Sequence, residues 1–180
     1  GITLSNIGLI YAAQGDNDTA YDYYQQALEI SQQVGDRAQQ GTTLNNIGRI
    51  YADAGDYPQA LSYYQQARDI GQQVGDRSGE ALALFNIAYT QKRQGNINEA
   101  LAPIEAAIDI VEDLRTKVAS PELRQTYFST VQNYYELQIN ILMELHQQDP
   151  TKNYQYKAFE TSENSRARTL LELLTEANTN

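Results

Sequence analysis

The feature that most constrains the fold of this chain is an internal repeat of 40 residues. Residues 1–40 and 41–80 are identical at about 24 of 40 aligned positions, and Tyr23–Ala27 matches Tyr63–Ala67 without a gap. Residues 81–120 form a weaker third copy. A period of this length is typical of arrays in which each unit buries its apolar face against its neighbours. The sequence therefore predicts a stack of similar units.

Regular turns divide each repeat into two halves. A glycine followed by aspartate or asparagine recurs every 20 residues, from Gly15-Asp16 to Gly95-Asn96. Glycine adopts the left-handed conformation that ends a helix, and a short polar side chain caps the next helix. Between the turns, apolar residues such as Ile7 and Tyr24 recur at helical spacing, and we expect Tyr24 and its counterpart Tyr64 in the repeat core. We therefore predict an all-α stack of antiparallel helix pairs.

Ten residues of the second repeat have the order and spacing of a known signature. They are Leu44, Ile47, Gly48, Tyr51, Gly55, Asp56, Tyr57, Ala60, Tyr64 and Ala67. In these residues the chain resembles the tetratricopeptide repeat. The resemblance implies a right-handed α-α superhelical solenoid whose concave face is lined by the first helix of each pair, and a role in protein binding.

The repeats depart from the usual tetratricopeptide pattern in two ways. Gln32 and Gln72 replace the proline that normally ends the second helix, and each period exceeds the 34-residue form by about six residues. Without the proline, the second helix can continue to Gly35 or Gly75. The repeats are therefore similar to the long-helix variant of kinesin light chains. The third copy is degenerate and has Ala88 in place of the glycine.

The C-terminal third predicts a longer terminal helix pair. We divide the chain into repeats at 1–40, 41–80 and 81–120 and a capping pair at 121–180, with Tyr156 and Phe159 on the apolar stripe of the last helix. Ser120–Gln125, Tyr134–Leu137 and Glu163–Leu174 are similar to the segment that precedes the caspase-like CHAT domain in cyanobacterial repeat proteins. This resemblance implies that the chain is the adaptor or sensor part of a larger protein.

Composition excludes several classes of function. Asp and Glu number 23 against 13 Lys and Arg, giving a net charge of −10, so nucleic acid and anionic membranes are unfavourable partners. The chain has no cysteine and a single histidine, His146, which excludes thiolate zinc sites and cysteine nucleophiles. We expect no cofactor, no metal and no enzymatic activity. No apolar run reaches the roughly 18 to 20 residues of a membrane span, and we expect a cytoplasmic location.

Polar residues of the first helices are candidates for binding a peptide. Asn6, Asn46 and Asn86 recur at the repeat period and would form a ladder along the groove. An asparagine amide offers an acceptor and two donors, which suits the backbone of an extended peptide, and Asn45 lies beside the ladder. Alternatively, asparagine is only tolerated at a polar position of the motif.

Charged and aromatic residues on the same faces complete the predicted groove. Arg49, Lys92 and Arg93 could bind a carboxylate, although they could equally pair with Asp53 or with nearby helices. Phe85 and Tyr89 could form an apolar anchor pocket, although aromatic residues at this spacing also pack between repeats.

The expected partner is therefore a protein or peptide, which could be the protein's own downstream domain. An alternative is that the module only packs or self-associates. Gly1 begins inside an already periodic pattern, which predicts earlier repeats and an uncapped end on which a second copy could stack.

Overall fold

A computed structural model describes the backbone of residues 1–117 and 121–179, and the side chains of residues 1–117 and 132–167. Apart from the connecting turns, these residues are helical, as predicted. The α-helices are α1 (Ile2–Ala13), α2 (Asn17–Gln33), α3 (Arg37–Asp53), α4 (Tyr57–Val74), α5 (Arg77–Gln94), α6 (Ile97–Lys117), α7 (Pro121–Gln148) and α8 (Tyr154–Thr179), with a 3-10 turn at Pro150–Lys152.

The predicted glycine turns connect the first six helices. All five turn glycines have φ between 72° and 87°, the left-handed region that a residue with a Cβ atom rarely adopts. The aspartate that follows caps the next helix: Asp16, Asp36 and Asp56 each accept a hydrogen bond from the backbone nitrogen three residues later. Because each turn is short, consecutive helices run antiparallel.

The helix lengths agree with the missing proline. α2 continues to Gln33 and α4 to Val74, one and two residues beyond the proline positions Gln32 and Gln72. Pro58 lies in the first turn of α4, where a missing backbone N–H costs nothing. Pro103, which the sequence analysis did not consider, lies inside α6.

The chain divides into two compact units, Gly1–Thr90 and Gln91–Asn180. In the first unit, tyrosine rings lie directly on glycines of the paired helix. A Cβ atom at Gly8 would lie 2.6 Å from the Tyr24 ring, and one at Gly48 would lie 2.7 Å from the Tyr64 ring. Tyr24 and Tyr64 are buried, as predicted for the repeat core. The glycines therefore let the two helices of each pair approach closely.

The second unit is built on apolar contacts along α6, α7 and α8. Its buried residues include Ile104, Ile141, Leu142, Leu145 and Ala158. Ion pairs join Lys92 to Glu144 and Lys157 to Glu105.

The prediction for the last helix is wrong in its detail. Tyr156 and Phe159 are 69% and 66% exposed, whereas the small Ala158 is buried. α8 is therefore rotated relative to the predicted stripe, and alanine makes its close contact. The side chains of Ser120–Gln125 and of Arg168–Leu174, which carry much of the resemblance to the CHAT-associated segment, lie outside the described residues.

Candidate functional site

A cleft lies between the first helices of the first two repeats. It has a volume of about 430 Å³. Its lining comprises Leu9, Ala12 and Ala13 from α1 and Arg49, Ile50 and Asp53 from α3. Four of the six lining residues are apolar, and one cation and one carboxylate stand on the α3 side. Such a combination can hold an apolar side chain while orienting a polar neighbour.

Arg49 is the exposed cation of this cleft. It forms no ion pair within 4 Å among the residues that the structure describes, so the predicted alternative pairing with Asp53 is not formed. Its guanidinium lies near the phenol of Tyr24. Burial raises the pKa of Tyr24, and the positive charge of Arg49 partly offsets that effect. Arg49 is thus the one predicted groove cation that the first unit presents at a cleft.

The predicted asparagine ladder is not uniform. Asn6 is exposed, whereas Asn46 and Asn86 are half-buried. Asn86 donates a hydrogen bond to Oδ1 of the buried Asn45 at 3.3 Å, which joins α5 to α3. The Nδ2 atom of Asn46 is buried without a hydrogen-bond partner. A peptide backbone would therefore meet a free amide at Asn6 and an amide at Asn86 that already uses one donor.

The remaining predicted residues lie on α5. Phe85 and Tyr89 stack on each other with ring centroids 6.3 Å apart, and Tyr89 is 46% exposed. Lys92 lies 2.7 Å from Glu144, so for this residue the alternative of pairing with a nearby helix holds. Arg93 is exposed in the last turn.

A second cleft, which sequence reasoning missed, lies between α2 and α3. Its volume is about 370 Å³. Its lining comprises Asn17, Asp18, Tyr21 and Asp22 from the start of α2 and Ile50, Tyr51 and Ala54 from the end of α3. The signal that could have revealed it is the spacing of Asp18 and Asp22, which places both carboxylates on one helix face next to Tyr21.

Three tyrosines hold the aromatic wall of this second cleft in place. Tyr51 stacks on Tyr63 at 5.3 Å and meets Tyr21 edge-to-face at 6.0 Å. Contact with the Tyr21 hydroxyl, together with burial, raises the pKa of Tyr51 to about 12, and burial also raises the pKa of Tyr63. The phenols of Tyr51 and Tyr63 are therefore neutral at physiological pH.

The described residues contain neither a metal-ligand cluster nor a membrane-spanning helix. No cluster of three or more histidine, cysteine, aspartate or glutamate side chains there could hold a metal ion. Within the same part of the chain, no helix is long and apolar enough to cross a membrane.

Sequence comparison identifies a family. The family model described as Tetratricopeptide repeat matches residues 1–73 and, in an overlapping second match, residues 39–113. Together the two matches span more than half of the 180 residues. Among curated proteins, none matches the sequence.

Solved structures agree on the fold. BtubC (BKLC) from P. vanneervenii is 18% identical with a TM-score of 0.63, and the match covers 97% of this chain and 63% of that one. Aspartyl phosphate phosphatase F from Bacillus subtilis is 18% identical with a TM-score of 0.72, and the match covers 94% of this chain and 41% of that one. Nearly identical TPR-like repeats of a Podosopora anserina kinesin light chain are 16% identical with a TM-score of 0.54 and 92% coverage of both chains.

These likenesses concern the fold alone, because the identities are low. The chain spans less than two thirds of the length of the first two structures. The predicted all-α class of stacked, kinesin-light-chain-like helix pairs is confirmed.

Proposed function

Since the chain belongs to the tetratricopeptide repeat family, we propose that it is a non-catalytic scaffold that binds a peptide or extended protein segment along the first helices of its repeats. The fold is one that generally serves protein interaction rather than catalysis. One of the similar structures is named a phosphatase, and that activity belongs to that protein and is not proposed for this chain.

The observation that carries the proposal is the cleft between α1 and α3. Leu9, Ala12 and Ala13 offer an apolar wall. Arg49 offers a cation that forms no ion pair within 4 Å among the described residues, and Asp53 lines the same cleft. An extended segment with an apolar side chain followed by an acidic side chain or carboxylate fits this arrangement. Asn6 is exposed on the same helix as the apolar wall and can bind the segment's backbone.

The test is selection from a random peptide library on the intact chain, followed by affinity measurement on variants. Arg49→Gln should weaken the selected peptides about tenfold, since it removes a charge-assisted hydrogen bond. Arg68→Gln is the matched control, because Arg68 pairs with Asp69 on α4, outside the cleft. Equal loss in both variants, or no selected peptide, would contradict the proposal.

A second candidate function is self-association or packing on another domain, with no separate ligand. The favouring observation is that Ile10 is 57% exposed, whereas its repeat equivalent Ile50 is only 9% exposed. α1 thus leaves open a face that α3 keeps covered. Sedimentation of the chain and of Ile10→Lys tests this candidate. A mass above the monomer that falls in the variant would support it, and a concentration-independent monomer would remove it.

We also propose that the scaffold is the adaptor part of a larger cytoplasmic protein of the repeat-plus-CHAT kind. Only the sequence resemblance of Ser120–Gln125, Tyr134–Leu137 and Glu163–Leu174 supports this step. In the full-length protein, deletion of residues 163–174 should uncouple peptide binding from the activity of the downstream domain. Regulation that survives the deletion would contradict the coupling role.

A further inference from the structure

We propose that the cleft between α2 and α3 is a second recognition site, which binds an arginine or lysine side chain of a protein partner. The site, here called the acidic aromatic cleft, comprises Asn17, Asp18, Tyr21 and Asp22 of α2 and Tyr51 of α3. It lies on a different helix pair from the cleft proposed above for the peptide. Its occupant is defined by charge and by shape.

The two carboxylates are available to a ligand. Asp18 and Asp22 form no ion pair and accept no side-chain hydrogen bond among the residues that the structure describes. Asp16, not Asp18, caps α2 by accepting a hydrogen bond from the backbone nitrogen of Thr19. Asp18 lies in the first turn of α2, where its negative charge interacts favourably with the helix dipole. Asp22 lies one turn further on, where this interaction is weak. A role in forming the helix therefore does not account for the pair.

The tyrosines supply a surface for the flat or aliphatic part of a basic side chain. Tyr51 is fixed by its stack on Tyr63 and its edge-to-face contact with Tyr21, so the wall exists before a ligand arrives. Cations are attracted to aromatic ring faces, and a guanidinium can stack on a ring while donating to a carboxylate. An anionic ligand is disfavoured, because residues 1–90 hold ten acidic and four basic side chains.

The residues of this cleft differ between the two similar repeats. At its four α2 positions the second repeat has Tyr57, Pro58, Leu61 and Ser62, so both carboxylates and the Tyr21 ring are absent there. Exposure alone does not explain the difference. The exposed residues Gln26, Gln33 and Val34 of the same helix are identical to their counterparts in α4. The acidic aromatic cleft is therefore particular to the first repeat.

The experiment titrates isotope-labelled chain with blocked Gly-Ser hexapeptides that carry one central arginine, lysine, glutamine or glutamate, followed by nuclear magnetic resonance. We expect saturable shifts at Tyr21, Asp22 and Tyr51 with the arginine and lysine peptides only. The double substitution Asp18→Asn with Asp22→Asn should raise the Kd for arginine about tenfold or more. Tyr21→Leu, which introduces the residue that the second repeat has at this position, should reduce the preference for arginine over lysine.

The control removes the same charge elsewhere. Glu29 and Asp109 are exposed and lie outside the cleft, so Glu29→Gln with Asp109→Asn should leave the Kd within about twofold. Arg49→Gln should also leave it unchanged, which keeps this test independent of the peptide site proposed above. Equal weakening in the control pair, equal binding of the glutamine peptide, or no response to any peptide would overturn the proposal. So would a response of these residues to calcium ions but not to arginine.

Discussion

The Nδ2 atom of Asn86 lies 3.3 Å from the Oδ1 atom of Asn45 and links two helices through a hydrogen bond. One repeat earlier, the same two positions hold Ser5 and Asn46. There, both the Ser5 hydroxyl and the Asn46 Nδ2 atom are buried without a partner. Serine ends at its hydroxyl and lacks the side-chain carbonyl with which Asn45 reaches across. The two interfaces between first helices thus differ by one hydrogen bond.

Replacing Ser5 by asparagine should therefore stabilise the chain. The new side chain can repeat the contact of Asn45 and accept a hydrogen bond from Asn46, which contributes about 0.5–1.5 kcal/mol to the free energy of unfolding. Urea unfolding followed by circular dichroism measures the change. Ser5→Ala is the control and should be neutral or slightly stabilising, because the hydroxyl has no partner to lose. A less stable Ser5→Asn variant would refute the explanation.

The reverse change, Asn45→Ser, should destabilise the chain. It leaves the Asn86 donor without its acceptor, in the same state as Asn46, at a cost of about 1–3 kcal/mol. The measurement is again the free energy of unfolding in urea. Thr42→Ser, at an exposed position of the same helix, is the matched control. An Asn45→Ser variant as stable as this control would contradict the prediction.

Gly48→Ala should also destabilise the chain, although alanine is the better helix former. The added Cβ atom would lie 2.7 Å from the buried Tyr64 ring, so the ring must move. Overpacking of this kind costs about 1–3 kcal/mol, more than the roughly 1 kcal/mol that alanine gains over glycine in a helix. Thermal and urea unfolding check the direction.

The third repeat indicates how the loss can be offset. Its sequence has Ala88 and Ile104 at the positions of Gly48 and Tyr64. The double variant Gly48→Ala with Tyr64→Ile should lose less free energy of unfolding than the two single variants lose in sum. The reason is that the isoleucine side chain is narrower than the tyrosine ring and leaves room for the added methyl group. A double-mutant cycle measures this coupling, and additive effects would show that the glycine and the ring do not interact as described.

Alkaline pH should destabilise the chain through its tyrosines. In the unfolded chain a tyrosine titrates near pH 10, whereas in the folded chain the pKa of Tyr51 is about 12. Between these values the unfolded chain releases a proton that the folded chain keeps, so the free energy of unfolding falls as pH rises from about 10 to about 12. Below about pH 10 Tyr51 contributes no such slope.

Tyr51→Phe isolates this contribution. Its free energy of unfolding should decline less steeply over the same pH interval, measured by urea unfolding at a series of pH values. Tyr156→Phe is the comparison, because Tyr156 is 69% exposed and does not belong to the stacked tyrosine group. Identical slopes in wild type and Tyr51→Phe would contradict the assignment.

The Lys92–Glu144 ion pair should contribute little to stability. Both side chains are partly exposed, at 29% and 39%, and such pairs typically contribute about 0–1 kcal/mol. Lys92→Ala, Glu144→Ala and the double variant form a cycle whose coupling should fall as salt is added. A coupling that is large and independent of salt would show that the pair is structurally more important than its exposure implies.

The helical frame could be predicted because its signals are local. A left-handed glycine and an aspartate that caps the next helix act over four residues, so Gly15-Asp16 and Gly55-Asp56 determine their own turns. Tyr24 and Tyr64 were correctly assigned to the core because the helical period alone places them there.

The features that escaped prediction depend on register between distant segments. The Asn45–Asn86 bond spans 41 residues. Pairing of Lys92 with a nearby helix was an open alternative, but its partner Glu144 lies 52 residues away and could not be named from the sequence. The exposure of Phe159 depends on the rotation of a whole helix about its axis, which buries the neighbouring Ala158 instead. Aligning the repeats finds what they share, and so it drew attention away from Asp18 and Asp22, which only the first repeat has.

The space around the turn glycines bears on how the number of repeats can change in evolution. Apart from the neighbouring residues of the chain, no atom lies within 4 Å of where a Cβ atom would stand at Gly35 or Gly75, and the same short turn follows α2 and α4. Residues 37–76 therefore form a cassette whose two ends carry matching junctions. Duplicating this cassette in the gene would add a unit whose contacts with its neighbours already exist in the parent protein. The number of repeats can therefore change by whole units, and each added unit can then diverge in the residues that line its clefts.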